Sequence, residues 1–324
     1  DKIEHYLTVT QNVHKYGSKI FMQLAHTGRQ TRKKETGFNV VGASDKKSIY
    51  FGGKVEKLST KQVYEIVEKF AQSAFYAKKA GFDGVQIHAA HGYLIHQFIL
   101  PSINNRKDEF GINEATGIGT RFLDVIIDRV RAKCGYDYCL LVKISGGDDY
   151  HRNFSLSQLK NLLLFLQSKK VSAVEISYGT MDFPLSIMRG DTPLKTALKH
   201  NLILGLDKNI LRNIKNFFLL SYIRFKTKPY TSTYNIEYAK FAKKIIDIPI
   251  ISVGGFRTGK EVQEAIDKDY TDFVSFCRPF ICEPDFAKKL EYNPLYVSKC
   301  TNCNMCAVMC DSKNKTMCYR RRKS

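Results

Sequence analysis

The sequence predicts an α/β fold in which parallel strands alternate with helices, of the barrel type. Short apolar runs rich in β-formers recur along the chain, and amphipathic helical patterns separate them. The near-continuous hydrophobicity of these runs is typical of parallel strands buried on both faces. Polar, chemically useful residues follow almost every run, and this placement at the strand ends favours a barrel over a doubly wound sheet.

Six runs are predicted to be strands, at residues 20–25, 85–89, 139–145, 173–177, 248–254 and 273–277. Three of the helices have a clear start, because Ser59, Ser155 and Thr258 each stand three residues before a Gln or Glu and so form capping boxes. Gly81 is predicted to end the first of these helices. Residues 185–233 fit no clean strand–helix unit and are predicted to form an elaborated loop with one or two helices.

Length and composition indicate one large folded domain. The chain has 324 residues, of which 44% are hydrophobic and 25% charged, which excludes a disordered or collagen-like protein. Parallel barrels often run to about 250 residues as one unit. We therefore predict a barrel domain over residues 1–292 and a Cys-rich tail over residues 293–324.

The charge is strongly basic, with 51 Lys and Arg against 31 Asp and Glu and a formal net charge of +20. Such an excess can indicate a polyanionic partner. However, the basic residues are scattered and only 320–323 form a concentrated run, so we do not expect nucleic acid as a partner. No run approaches the roughly 20 apolar residues that span a bilayer, and the first residues have no apolar signal-peptide core. We expect a cytoplasmic protein without a membrane partner.

The polar residues after the strands include two histidines and a tyrosine, His88, His91 and Tyr93. The histidines could ligate zinc, could hold a substrate carbonyl, or could be core histidines without a role in chemistry. A tyrosine with an ordinary pKa of about 10 stays protonated at neutral pH and can supply a proton. Spacing alone leaves these alternatives open.

A glycine turn at Gly254-Gly255 follows the fifth run. It begins like a nucleotide-binding P-loop, but Glu261 stands where Ser or Thr would bind magnesium. The capped helix after this turn offers backbone N–H groups to an anion, and Cys277-Arg278 after the next strand adds a cation. The last two strands of a barrel commonly form such a phosphate site, which we predict here.

Five of the nine cysteines lie in the last 25 residues, which suits a metal or redox group better than a secreted disulfide framework. The spacing of Cys300, Cys303, Cys306 and Cys310 is that of a bacterial ferredoxin run, and four thiolates could equally hold zinc. Cys318 is an alternative ligand. We therefore consider a [4Fe–4S] cluster or zinc at this tail.

Several separated motifs together resemble the Old Yellow Enzyme family of FMN-dependent NADH:flavin oxidoreductases and ene reductases. They lie at residues 19–29, 81–98, 105–111, 251–255 and 278–285. The resemblance implies a (β/α)8 barrel. Since the family carries two strands before the one that holds Gln23, it also implies that this chain lacks the first two βα units. The cysteine tail is similar to that of the 2,4-dienoyl-CoA reductase branch, with one residue fewer between the second and third cysteines.

The resemblance also implies roles for single residues. Gln23 resembles the glutamine that binds the flavin ring, and Lys143 resembles the basic residue near flavin N1 and O2. Gly254, Gly255, Cys277 and Arg278 resemble the phosphate grip, although the family usually has Gly at the position of Cys277. His88 and His91 resemble the pair that holds the activating oxygen of the substrate, and Tyr93 resembles the proton donor.

The activity implied is NAD(P)H-dependent reduction of the C=C bond of an electron-poor alkene, such as an enone or an unsaturated thioester, by a flavoprotein. One alternative is a flavin dehydrogenase that passes single electrons through a cluster held by the Cys tail. Another is a non-catalytic basic binding protein with an incomplete barrel. The expected partners are a small-molecule substrate and a nicotinamide coenzyme, and the sequence predicts no oligomeric state.

Overall fold

A computed structural model describes residues 2–149, 154–206 and 210–320. The chain divides into two compact units, the first comprising residues up to 182 together with 244–250, and the second comprising 183–243 together with the residues from 251 onward. The predicted domain boundary after residue 292 stays a prediction.

The first unit contains helices and strands in the order α1 (Lys2–His14), β1 (Phe21–Leu24), α2 (Lys33–Thr36), β2 (Val41–Gly42), β3 (Glu56–Lys57), α3 (Thr60–Lys79), β4 (Gly84–Ala89), α4 (Leu94–Ile99), α5 (Arg121–Cys134), β5 (Cys139–Ser145), α6 (Leu156–Ser168) and β6 (Ala173–Ser177). Strands β1, β4, β5 and β6 are parallel neighbours in that order, and β2 pairs with β3. Every residue of β4 and β6 is buried, as their apolar sequences predict.

The second unit contains α7 (Pro184–Ile187), α8 (Leu194–His200), α9 (Ile210–Lys226), α10 (Ile236–Lys243), β7 (Ile250–Val253, entering from the first unit), α11 (Gly259–Asp267), β8 (Phe273–Ser275), α12 (Arg278–Cys282), α13 (Phe286–Tyr292) and α14 (Met305–Met309). Strands β7 and β8 are parallel. The sequence predicted one or two helices within residues 185–233. The described residues of this stretch contain three, because the two short helices α7 and α8, which begin at Pro184 and Leu194, precede the long α9.

All six predicted strands are present, so this part of the prediction is confirmed. The three capping boxes are confirmed as well, since the side chains of Ser59, Ser155 and Thr258 each accept the backbone N–H three residues on. Gly81 takes the left-handed φ of +79° just after α3, which a residue without Cβ adopts at little cost.

The core of the first unit lies between its strands and the long helices. The face of α3 turned to this core carries Val63, Val67, Phe70, Ala71 and Ala74, all buried. Burying one Val or Phe side chain contributes about 1.5–3 kcal/mol, so this one helix face holds α3 firmly against the rest of the unit. Across the described ranges, no helix is both long and apolar enough to cross a membrane.

Candidate functional site

A chain of hydrogen bonds joins polar side chains of four neighbouring strands in the first unit. The Gln23 amide donates to Oε1 of Gln86 at 2.5 Å, and the Gln86 amide donates to the Glu175 carboxylate at 2.7 Å. Nζ of Lys143 donates to the other oxygen of Glu175 at 3.1 Å. The strand register explains this order, because Gln23 lies opposite Gln86 and Lys143 lies opposite Glu175.

This series of hydrogen bonds is buried in its middle and accessible at both ends. Gln86 and Glu175 are 8% and 6% exposed, whereas Gln23 is exposed and Lys143 is half-buried. A buried carboxylate needs a cation and donors to offset the loss of hydration, and Glu175 has both. Its bonds hold the ammonium of Lys143 in one place and leave the Gln23 amide at the accessible end.

His88, His91 and Tyr93 are brought together at the end of β4. The ring centroid of His88 lies 4.9 Å from that of His91 and 4.7 Å from that of Tyr93. The turn that gathers them is left-handed, with φ of +59° at His91 and +72° at Gly92. A positive φ is costly for a residue with Cβ and recurs at functional turns that the surroundings hold in place.

Two serines fix His91. Its Nε2 lies 2.8 Å from the hydroxyl of Ser177, and its backbone N–H donates to the hydroxyl of Ser145 at 3.1 Å. The His91 carbonyl in turn accepts the N–H of Met181 at 2.8 Å. The backbone and ring of His91 are therefore held by residues from β5, β6 and the segment that follows β6.

The histidines of this cluster are neutral at pH 7. Burial, with a further contribution from the charge of Lys143, lowers the pKa of His88 to about 4. Burial also lowers the pKa of His91 well below its usual value, and it lowers that of the neighbouring His96 to about 3. Each ring therefore carries a single N–H, which can donate a hydrogen bond to an oxygen but cannot act as an imidazolium acid.

Sequence reasoning placed Ser177 among the polar residues at the strand ends but gave it no role, and it missed Gln86, Glu175 and Ser145 as members of the site. The sequence does contain a pattern that could have identified these residues, because side chains two positions apart on a strand point to the same side of the sheet. Gln86 stands two before His88, and Ser145 stands two after Lys143. Glu175 and Ser177 are related in the same way on β6.

The predicted phosphate grip lies in the second unit. Gly254 and Gly255 have φ of +126° and +90°, and a Cβ on Gly255 would lie 2.5 Å from the backbone nitrogen of Thr233. Arg278 donates to the carbonyl of Arg189 at 2.9 Å and to Oδ1 of Asn304 at 2.7 Å. The positive charge of Arg278, in the same unit as the glycine turn, suits an anionic phosphate group.

The fourth residue of the predicted grip, Cys277, directly precedes α12 and is exposed. The ring of Tyr234 packs against the glycine turn, and the guanidinium of Arg189 stacks over that ring at 4.5 Å from its centroid. Burial raises the pKa of Tyr234, which keeps the phenol neutral. The surroundings of the turn therefore add a second cation and no negative charge from this tyrosine.

The Cys tail borders a pocket of about 170 Å³ in the second unit. Five thiols line it together with the side chains of Arg278, Lys299 and Arg320; they are Cys282, Cys300, Cys303, Cys306 and Cys318. The Sγ atoms of Cys282 and Cys318 are 3.7 Å apart. Cys310, which the spacing predicted as a ligand, is exposed and does not line this pocket.

Two of these thiols are protonated at neutral pH. Burial, followed by the neighbouring Cys318 and Cys300, raises the pKa of Cys282 to about 12, and burial with Cys300 raises that of Cys306 to about 11. Within the residues that the structure describes, no three His, Cys, Asp or Glu side chains are close enough to hold a metal ion. The metal at the tail stays a prediction.

Known proteins similar to this chain include enzymes and solved structures. The chain is 35% identical over 289 residues to an NADPH dehydrogenase of Bacillus subtilis (strain 168), an alignment that covers 89% of this chain and 71% of that enzyme. It is 29% identical over 302 residues to an NADH oxidase of Thermoanaerobacter brockii, which covers 93% of this chain and 40% of the oxidase. It also spans 52% of the flavin oxidoreductase iliE of Hypocrea jecorina (strain QM6a).

Among solved structures, the Old Yellow Enzyme homologue of Zymomonas mobilis superposes with a TM-score of 0.65 at 26% identity, covering 91% of this chain and 73% of that one. These likenesses confirm the predicted α/β fold of the barrel class. A sequence model of the NADH:flavin oxidoreductase / NADH oxidase family matches residues 1–202 and 186–295. With most of its length matched, this chain belongs to that family, which is the family of Old Yellow Enzyme.

Proposed function

We propose that the protein is an FMN-dependent oxidoreductase that uses NAD(P)H to reduce the C=C bond of an electron-poor alkene. The observation that carries this proposal is the cluster of His88, His91 and Tyr93, which lies at the end of β4 one strand from Lys143. Relatives support the reaction class, since they include an NADPH dehydrogenase and a cinnamate reductase of Clostridium sporogenes.

The strand-end donors of the first unit suit the polar edge of a flavin ring, and the basic Arg278 of the second unit suits an anionic phosphate. The accessible amide of Gln23 and the ammonium of Lys143 would hold the polar edge of the flavin ring, while Gly254, Gly255, Cys277 and Arg278 would hold the phosphate. When bound, FMN supplies hydride transfer between the nicotinamide and the alkene. Glu175 holds Lys143 in place through the bond of 3.1 Å and offsets part of its charge.

His88 and His91 would hold the carbonyl oxygen of the substrate. Both rings are neutral, so each offers an N–H to the oxygen and polarises the conjugated C=C bond without giving up a proton. In this arrangement the hydroxyl of Ser177 donates to Nε2 of His91, which fixes the ring and leaves its single N–H, on Nδ1, for the substrate oxygen. Because neither histidine can act as an acid at neutral pH, the proton for the α carbon comes from the hydroxyl of Tyr93.

The test is to measure the two half-reactions separately with the FMN-loaded protein. Tyr93→Phe should slow oxidation by a cyclic enone or an unsaturated thioester by roughly 10²–10⁴-fold and leave reduction by NAD(P)H almost unchanged. Tyr76→Phe is the matched control, because Tyr76 is half exposed on α3 of the same unit and its hydroxyl has no place in the proposed chemistry. If reduced wild-type protein is oxidised by neither class of alkene, the proposal fails.

The thiol-lined pocket at the Cys tail favours a second candidate, an iron–sulfur centre that would let the protein pass single electrons; zinc there would be structural only. Five thiols line this pocket of about 170 Å³, and thiols ligate both iron–sulfur clusters and zinc. In the described residues no three of them stand close enough to hold a metal ion, so binding would have to draw them together. Metal binding would release the proton that burial holds on Cys306. Because Cys310 lies outside the lining, we propose Cys300, Cys303 and Cys306 as ligands, with the alternative that the sequence offered, Cys318, as the fourth.

The ligand set can be tested by metal and sulfide analysis of anaerobically purified variants. Cys318→Ser should lower the metal content sharply, whereas Cys310→Ser should retain it because Cys310 lies outside the pocket. The reverse result would restore the ligand set that the spacing predicted. Wild-type protein with neither iron nor zinc would end this candidate.

A further inference from the structure

Helix α9 presents an apolar surface to solvent. Six of its large apolar side chains are between 44% and 83% exposed, and we refer to them as the outer face of α9; they are Leu211, Ile214, Phe217, Phe218, Tyr222 and Phe225. The opposite side of the helix packs into the second unit through Asn216, Leu220 and Ile223, which are buried. The helix is thus anchored by one side while its aromatic side points outward.

The anchoring is specific. The Asn216 amide donates to the carbonyl of Ile203 at 3.3 Å, and the hydroxyl of Thr227 caps the end of the helix by donating to the carbonyl of Ile223 at 2.8 Å. The ring of Tyr222 contacts that of Phe183 at 5.8 Å between centroids, so one edge of the outer face is steadied by its own unit. An apolar surface held outward in this way is typical of an interaction site.

The charge of α9 indicates the kind of partner. The helix contains Arg212, Lys215, Arg224 and Lys226, and it contains no Asp or Glu. At about 100° per residue, Lys215 and Lys226 lie along one border of the outer face and Arg224 along the other. The Lys226 ammonium also lies 6.0 Å from the ring centroid of Tyr222, at the same border.

We propose, against the expectation from the sequence that there is no membrane partner, that the outer face of α9 binds the surface of an anionic lipid bilayer, with the helix lying in the plane of the interface. Phe and Leu side chains would enter the boundary between headgroups and acyl chains, and the bordering Lys and Arg would meet the lipid phosphates. A second copy of this chain is disfavoured as the occupant, because two such helices would bring cations against cations.

The test uses the purified full chain and vesicles of phosphatidylcholine, with or without about 30% phosphatidylserine as the anionic lipid. Wild-type protein should float with the anionic vesicles, float far less with neutral ones, and dissociate as salt rises. Phe218→Glu should lower the bound fraction at least about tenfold, since it puts a charge in the middle of the outer face. Phe38→Glu is the matched control, because Phe38 is 78% exposed in the first unit and should leave binding unchanged.

A second readout does not depend on flotation. The chain has no tryptophan, so Phe218→Trp introduces a single fluorophore on the outer face. Its emission should shift to the blue with anionic vesicles and be quenched by brominated lipid tails. Unchanged emission, equal loss of binding in Phe38→Glu, or an oligomer that Phe218→Glu dissociates without any lipid would each overturn the proposal.

Discussion

Glu283 directly follows α12, and its carboxylate binds the segment that leads into the Cys tail. Replacing it should therefore destabilise the second unit. Its carboxylate is fully buried and accepts hydrogen bonds from the hydroxyls of Tyr296 and Ser298, at 2.5 Å and 3.1 Å. It also accepts the backbone N–H of Lys299 at 2.5 Å and the ammonium of Lys289 at 3.0 Å. Glu283→Gln keeps the size of the side chain but turns an N–H₂ group toward some of these donors.

The magnitude follows from the pKa of Glu283. Burial alone would raise it, but the bonds from Tyr296, Lys299 and Lys289 outweigh burial and lower the pKa from 4.5 to about 2. A shift of this size is equivalent to about 3 kcal/mol of stability at pH 7. Because the folded pKa lies below the unfolded one, the contribution is complete above pH 4.5 and is lost as the pH falls toward 2.

Urea unfolding at pH 7 and at pH 3 measures this effect. Glu283→Gln should lower the free energy of unfolding by about 3 kcal/mol at pH 7 and by roughly half as much at pH 3. Glu264→Gln is the control, since Glu264 pairs with Lys268 on the surface with half of its side chain exposed, and it should cause no measurable change. A loss of less than about 1 kcal/mol at pH 7, or a loss that is the same at both pH values, would refute the reasoning.

Three further perturbations test other parts of the structure. Asp182→Asn should cost about 3–5 kcal/mol in urea unfolding, because it leaves the fully buried guanidinium of Arg29 without the carboxylate that it now contacts at 2.6 Å; a loss below about 1 kcal/mol would contradict this. Gly255→Ala should lower the melting temperature more than Gly53→Ala. Both glycines have positive φ, but only at Gly255 would a Cβ meet backbone, at 2.5 Å. Equal losses would show that the close approach of the backbone to Gly255 does not matter for stability. The pKa of about 4 at His88 predicts that stability falls as the pH drops from 6.5 toward 4, because the unfolded chain then binds a proton that the folded chain excludes. An NMR titration that gives a folded-state pKa near 6.5 would contradict that assignment.

Local signals in the sequence were enough for the elements of the fold. The strands could be predicted because each is a short apolar run, and three helices because Ser59, Ser155 and Thr258 carry the capping pattern in neighbouring residues. The outer face of α9 is the opposite case. Its apolar side chains recur at helical spacing, which would ordinarily place them in a core, yet the structure buries Asn216, Leu220 and Ile223 instead.

The candidate site could be predicted only where its residues stand close together in the chain. His88, His91 and Tyr93 share one turn, and the structure brings them together. Glu175 could not be paired with Lys143 from the sequence, because the contact depends on the register of two strands whose partners are 32 residues apart. The Cys tail is a similar case. The regular spacing in the sequence favoured Cys310 as a ligand, but the contact between Cys318 and Cys282 joins residues 36 apart, which spacing does not reveal.

The visible spectrum of the purified full chain tests the central claim most directly. We predict that the protein carries or takes up FMN, that NADH or NADPH bleaches the flavin absorbance, and that a cyclic enone or an unsaturated thioester restores it. Gln23→Ala with Lys143→Ala should weaken FMN binding, because together they remove both groups proposed to hold the ring. A colourless protein that does not bind added FMN would contradict the account.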